Sequence, residues 1–177
     1  MKLQGTKGIS IVVMGVCGVG KSSVSSALAH RLGAALVEAD DHHTQNNKDK
    51  MSKGIPLNDD DRKPWLAAVA EVASSNLETN NSVVIACSAL KRKYRDQLRS
   101  ALTSCIFVHL DGDRDLIAKR LGERKGHFVG ESLLKSQLEA LEPLSADEPG
   151  FSVSIAPPAE AVVEKALNLL EDSLAKA

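Results

Sequence analysis

Runs of β-branched and apolar residues alternate along this chain with stretches whose apolar positions recur every three or four residues. Ile9-Ser10-Ile11-Val12-Val13-Met14 is apolar almost without interruption, the pattern of a strand buried on both faces of a parallel sheet. Val24, Ala27, Leu28 and Leu32, with the stem of Arg31, then repeat at helical spacing and stop at Gly33, which predicts an amphipathic helix with a glycine terminus. Residues 35–38 predict a short second strand, 83–87 a third, 105–110 a fourth and 152–155 a weaker fifth. Helical patterns fall between them over 65–77, 90–102, 116–121, 133–141 and 162–174. Alternation of this kind implies parallel pairing through crossover helices. The expected fold is therefore a three-layer α/β/α domain with a central parallel sheet of about five strands, binding ligands at the carboxyl ends of its strands.

Two stretches depart from the alternation. Residues 41–61 are polar and turn-rich, and residues 123–132 carry Arg124, Lys125, Gly126, His127, Phe128 and Gly130. Long loops in a compact domain often act as lids or binding segments, with a plain surface insertion as the alternative. At 177 residues the chain is expected to be one domain over 1–177.

Composition narrows the class. With 43% hydrophobic and 25% charged residues a core can offset chain entropy, which excludes a disordered or collagenous chain. No apolar run approaches the ~20 residues that span a bilayer, and the first one leads into glycines and a lysine rather than a signal-peptide cleavage site. Cys17, Cys87 and Cys105 are odd in number and widely spaced, so they are read as thiols in a reducing compartment, and the cytoplasm is expected. The net charge of −1 and the 3% aromatic content give little support for nucleic-acid binding. Charge is nonetheless uneven: residues 86–130 hold ten basic and five acidic side chains, and residues 131–177 hold three and nine. The basic segment is either a solvated helix face or a surface for a small anion.

Candidate chemistry begins at Gly15-Val16-Cys17-Gly18-Val19-Gly20-Lys21-Ser22, which matches G-x-x-x-x-G-K-S/T between a predicted strand and a predicted helix. Glycines let backbone N–H groups curl around phosphate oxygens, the helix N-terminus adds positive dipole, Lys21 reaches the β- and γ-phosphates, and Ser22 holds Mg²⁺. The ATP-binding stretch is expected to run from Gly15 through Ser23. Glu38 and Asp40 lie two apart at the end of the second strand, on the side of the loop's phosphates. Asp40 is the candidate base and a candidate Mg²⁺ ligand, against the alternative of a carboxylate that merely caps the next helix.

Asp59-Asp60-Asp61-Arg62-Lys63-Pro64-Trp65 reads as a helix start, with aspartates as caps and Pro64 in the first turn; Arg62 beside them suits an acceptor's hydroxyls or carboxylate. After the third strand, Cys87-Ser88-Ala89-Leu90-Lys91-Arg92-Lys93-Tyr94-Arg95 brings a hydroxyl and several cations to the ligand edge, with Lys91 best placed and Arg92 and Lys93 open to a solvated reading.

These segments together resemble the P-loop gluconokinases, small kinases related in fold to shikimate and adenylate kinases. The resemblance runs through the phosphate loop; Asp40, His43, Asn47, Lys50 and Met51; Gly54-Ile55-Pro56-Leu57-Asn58-Asp59-Asp60-Asp61-Arg62-Lys63-Pro64-Trp65-Leu66; Cys87-Ser88-Ala89-Leu90-Lys91 with Tyr94-Arg95; and Arg124-Lys125-Gly126-His127-Phe128. It implies an NMP-kinase-like fold with a lid at 123–132 and a substrate-binding excursion at 41–61. It also implies ATP and Mg²⁺ as cofactors, phosphorylation of D-gluconate to 6-phosphogluconate in carbohydrate catabolism, and a homodimer. By resemblance and position, Lys21, Arg120 and Arg124 are expected to neutralise the transferring phosphoryl group. Asp40, His43, Arg62, Ser88, Lys91, Arg95 and His127 are expected at gluconate, and Arg120 and Pro157 at ATP. A structural salt bridge competes for Arg120, a lid-tip side chain for His127 and a loop-to-helix entry for Pro157.

The chain departs from the family at Thr44, where proline is common and whose presence is expected to loosen the loop carrying His43, and at Glu38, where aspartate is frequent. A kinase of the same architecture acting on shikimate or a nucleotide is the nearest rival. A GTP switch is poorly supported, since Asn47-Lys48-Asp49-Lys50 has its aspartate one place too early for guanine reading.

Overall fold

The computed structural model describes residues 8–123 and 131–175. Strands β1 (Ile9–Met14), β2 (Ala35–Glu38), β3 (Ser82–Ala86), β4 (Cys105–Asp111) and β5 (Gly150–Ser154) form one sheet in the order β2-β3-β1-β4-β5, with every pairing parallel. The helices are α1 (Lys21–Leu32), α2 (Gln45–Ser52), α3 (Asp59–Thr79), α4 (Arg92–Ala101), α5 (Arg114–Glu123), α6 (Glu131–Ala140) and α7 (Ala159–Ala175). The expected α/β class and parallel sheet are what the chain forms.

Alternate strand residues supply two cores. Ile9, Ile11 and Val13 of β1, with Ile106, Val108 and Leu110 of β4, pack against Val24 and Leu28 of α1, Ile117 of α5, Leu134 of α6 and Leu167 of α7. On the opposite face Val12, Met14, Val83, Ile85 and Phe107 meet Trp65, Leu66 and Val69 of α3 and Tyr94 and Leu98 of α4. A strand with both faces covered must be apolar throughout, which is why β1 and β3 are buried along their whole length.

Register sets the functional edge. Val13 lies level with Ala86 of β3 and Val108 of β4, and Ala86 lies level with Glu38 of β2. The loops leaving β1, β2 and β3 therefore emerge side by side.

The excursion is more ordered than its composition suggested. A 3-10 turn occupies Ala39–His42 and α2 follows, with Thr44 as N-cap, its side chain accepting from the Asn47 N–H at 3.2 Å. Thr44 thus anchors this segment instead of loosening it, because a threonine hydroxyl satisfies a helix N–H that proline could not cap. α3 begins at Asp59 through a capping box in which Asn58 accepts from the Asp61 N–H and the Asp61 carboxylate accepts from the Asn58 N–H, each at 2.9 Å. Pro64 consequently sits in the second turn, inside the helix, rather than in the first. α4 begins two residues later than its pattern, since Ala89 has φ +43° and Lys91 is extended. Among the described residues no helix is long and apolar enough to cross a membrane.

Candidate active site

The loop between β1 and α1 is shaped by glycines that nothing larger could replace. Gly15 has φ +144° and a Cβ there would stand 2.8 Å from the carbonyl oxygen of Leu110; at Gly18, φ +85°, it would stand 2.7 Å from Cγ of Leu121. Val16 and Val19 pin the loop into the core below. Gly15 N–H donates to the Ser88 carbonyl at 3.2 Å, tying the loop to the segment after β3. Lys21 Nζ donates to the carbonyls of Gly15 and Val16 at 3.0 and 2.9 Å, which holds the ammonium at the rim of the loop. Cys17 N–H donates to Gln137 Oε1 of α6 at 2.6 Å.

Beside this loop, Ser22 Oγ donates to Glu38 Oε2 at 3.1 Å. Burial pushes the Glu38 carboxyl above its ordinary value, against the bond from Ser22. Asp40, on the 3-10 turn, is 92% exposed at its side chain and points into open space next to the same carboxylate edge, with His43 Nε2 at 3.8 Å from Oδ1. His43 holds the Asp40 carboxyl below its usual value, modestly at so exposed a site because water screens the pair. The His43 ring stacks on the Trp65 indole at 4.3 Å and 13°, and the indole N–H donates to the Ala39 carbonyl at 2.7 Å.

The acceptor-side cations converge on Asp59. Its carboxylate accepts from Lys91 at 3.3 Å, from Lys93 and from the Tyr94 hydroxyl, while the Arg62 guanidinium lies 5.6 Å from the Tyr94 ring centroid and donates to the Leu57 carbonyl. The Lys93 and Tyr94 bonds hold Asp59 far below the carboxylate range, and burial, followed by the bond to Asp59, pushes Tyr94 up to about 12. Lys93 joins this cluster while its side chain stays 55% exposed.

Arg95 does not join it. Its side chain is fully buried, pairing with Glu148 at 2.6 and 3.0 Å and donating to the carbonyls of Ala89 and Leu90, both at 3.1 Å, and of Pro143 at 3.3 Å. The expectation that it holds gluconate is corrected: its donors face protein acceptors beneath the loop, and it fixes the backbone from which Ser88 and Lys91 project. Arg120 donates to the Ile155 carbonyl at 2.8 Å, so it binds backbone rather than a carboxylate there and ties α5 to the loop that carries Pro157. Arg124 and His127, with most of 123–132, lie outside the described residues.

Asn47, Asp59 and Gln137 were not singled out by sequence reasoning as site residues. Asp59 reads from sequence as one of more aspartates than a single cap needs, and Asn47 and Asp59 stand among the residues of the family resemblance; nothing in the spacing of Asn47 or Gln137, polar residues on helices, betrays their partners.

A family model described as an AAA domain matches residues 11–144. The thermoresistant gluconokinase of Escherichia coli K12 is 45% identical over 161 residues, covering 90% of this chain and 92% of that protein. The chain belongs to the gluconokinase family. A crystal structure of a gluconokinase from Sinorhizobium meliloti 1021 superposes with TM-score 0.82 at 46% identity, covering 95% of this chain and 92% of that one. A shikimate kinase from Bacteroides thetaiotaomicron, at 16% identity and TM-score 0.62, shares the fold alone.

Kinases of this fold imply Mg²⁺. The oxygens available are the Ser22 hydroxyl and the Glu38 and Asp40 carboxylates, and among the described residues no group of three or more His, Cys, Asp or Glu could cage a metal by itself. That donor set fits Mg²⁺, which takes hard oxygen ligands, few of them from protein, and completes its shell with water and substrate phosphates.

Proposed function

We propose that this protein transfers the γ-phosphoryl group of ATP to the primary hydroxyl of D-gluconate, giving 6-phosphogluconate. The observation that carries this reading is the meeting, along one sheet edge, of a phosphate loop with Asp40 and with a cation cluster suited to an anionic polyol, in a chain 45% identical to a gluconokinase.

Phosphoryl transfer depends mainly on positioning and on stabilising charge. The loop N–H groups from Gly15 to Ser23 cradle the phosphates, and Lys21 turns from the loop carbonyls to the β/γ-oxygens. Ser22, with Glu38 behind it and Asp40 nearby, would hold Mg²⁺, which would supply positive charge against that of the phosphates. Asp40, kept ionised, accepts a hydrogen bond from the acceptor hydroxyl, aligns its oxygen for in-line attack and takes the proton as the bond forms. Arg62 and Lys91, with Lys93 beside them, hold the carboxylate and hydroxyls of gluconate, assisted by Ser88 and His43. Arg120 and Pro157 lie on the ATP side. The same reading includes a homodimer and a cytoplasmic setting.

Kinetics test it. ADP release from Mg-ATP should depend on D-gluconate, and Lys91→Ala should raise the KM for gluconate about tenfold, the equivalent of ~1.4 kcal/mol, with the KM for ATP unchanged. Gluconate-independent ADP release, or a Lys91→Ala enzyme altered only in its KM for ATP, counts against it.

A further inference from the structure

Asn47 is wholly buried on α2, and nothing in the mechanism above uses it. Its Nδ2 donates to the Asp61 carbonyl at 2.9 Å and lies 3.4 Å from Nδ1 of His43. Its Oδ1, equally buried, has no hydrogen-bond partner among the described residues. An orphaned buried oxygen is costly, so what Nδ2 reaches is what fixes the orientation of the amide. Reversing it would set Oδ1 against the Asp61 carbonyl, oxygen to oxygen.

The consequence falls on His43. An amide nitrogen has two N–H groups and no lone pair to offer, so Nδ1 facing it can only accept. The proton of the neutral imidazole then resides on Nε2, the nitrogen 3.8 Å from Asp40 Oδ1. The ring cannot swing away, because it is stacked on Trp65 and its side chain is only 8% exposed. Trp65 in turn is fixed to the carbonyl of Ala39, the residue preceding Asp40. A buried frame running from Asp61 through Asn47 and His43 thus aims one N–H at an exposed carboxylate, at a distance that a small turn of Asp40 closes when substrate binds.

We propose that Asn47 is a positioning residue that sets the tautomer of His43, so that the Nε2–H orients the Asp40 carboxylate toward the acceptor hydroxyl. This rests on the reading of Asp40 as the group that receives that hydroxyl. The logic is that of histidines elsewhere, whose far nitrogen fixes what the near one presents.

The test uses full-length protein labelled with ¹⁵N-histidine and long-range ¹H–¹⁵N spectra, taken without substrate at a pH where the ring is neutral, alongside steady-state kinetics. In the wild type His43 should show a pyridine-like Nδ1 and a pyrrole-like Nε2. In Asn47→Leu the two forms should mix, and kcat should fall about ten- to a hundredfold, the scale typical of outer partners that orient a functional histidine, with the KM for ATP unchanged. His43→Gln, whose amide has no ring tautomer, keeps the test decisive: in that background Asn47→Leu should cost no further kcat. A melting curve identifies any variant that fails to fold, and Asn47→Asp, nearly identical in shape, then replaces Asn47→Leu, with Nδ1 becoming protonated. A pyrrole-like Nδ1 in the wild type, an unchanged tautomer in a folded variant, or a full further loss in the His43→Gln background would overturn the proposal. A wild type inert toward gluconate but with the expected tautomer would instead overturn the functional reading alone.

Discussion

The side chains of Arg95 and Glu148 lie at zero exposure, and the guanidinium also donates to the carbonyls of Ala89, Leu90 and Pro143. Removing one partner leaves a buried charge uncompensated, which costs on the order of 3–5 kcal/mol. Arg95→Ala is therefore expected to lose stability on that scale at neutral pH, measured by urea unfolding. The pH dependence has a definite sign. Arg95 holds the Glu148 carboxyl below its ordinary 4.5, so the stabilisation of the pair is complete above that pH and is lost as pH falls through the lower folded value. The deficit of Arg95→Ala should then shrink on acidification, as Glu148 protonates in both proteins, and a deficit constant with pH would contradict the pairing. Sequence could give Arg95 its charge and its place beside the ligand edge but not its partner, which lies 53 positions away. Lys21 and Asp40, by contrast, have the partners shown here close by in sequence, Gly15 and Val16 for the one and His43 for the other, whereas Ser22 meets Glu38 across sixteen positions.

At the level of elements, hydrophobic periodicity located every strand and the helices that cover the sheet, because those segments bury an apolar face. It could not find α2, in which Asn47 is the one buried residue and the only large apolar side chain, Met51, is exposed. The signal available there was local: Thr44 three residues before a backbone N–H that its hydroxyl caps. α6 was visible as a helix, yet its contact with the phosphate loop was not, since a glutamine within an amphipathic pattern reads as surface. That contact makes a prediction. Gln137→Glu puts a carboxylate where Oε1 now meets the Cys17 N–H, in competition with phosphate for the loop's donors. The KM for ATP should rise about tenfold while the KM for gluconate holds, and an unchanged KM for ATP would separate α6 from nucleotide binding.

Over the whole molecule, the uneven charge of the sequence resolves into two uses. Part of the basic excess of residues 86–130 meets the acidic excess of 131–177: Arg92 grips Asp147 with two bonds of 2.8 and 2.7 Å, its N–H donates to Glu142, and Arg95 pairs with Glu148. These contacts fasten the start of α4 to the loop before β5, a structural use of charge that neither a solvated helix face nor an anion surface describes. A second group, Lys91 and Lys93 with Arg62 brought in by α3, gathers around Asp59 and the Tyr94 ring and stays net positive at the ligand edge. The central claim is that this edge is built for phosphoryl transfer to a small anionic polyol. A coupled ADP-release assay with Mg-ATP and a panel of D-gluconate, other aldonates, glucose, shikimate and nucleoside monophosphates tests it most directly, with Lys21→Ala as control. Turnover confined to gluconate and abolished in Lys21→Ala is the predicted result; turnover on shikimate or a nucleotide with gluconate inert would contradict it.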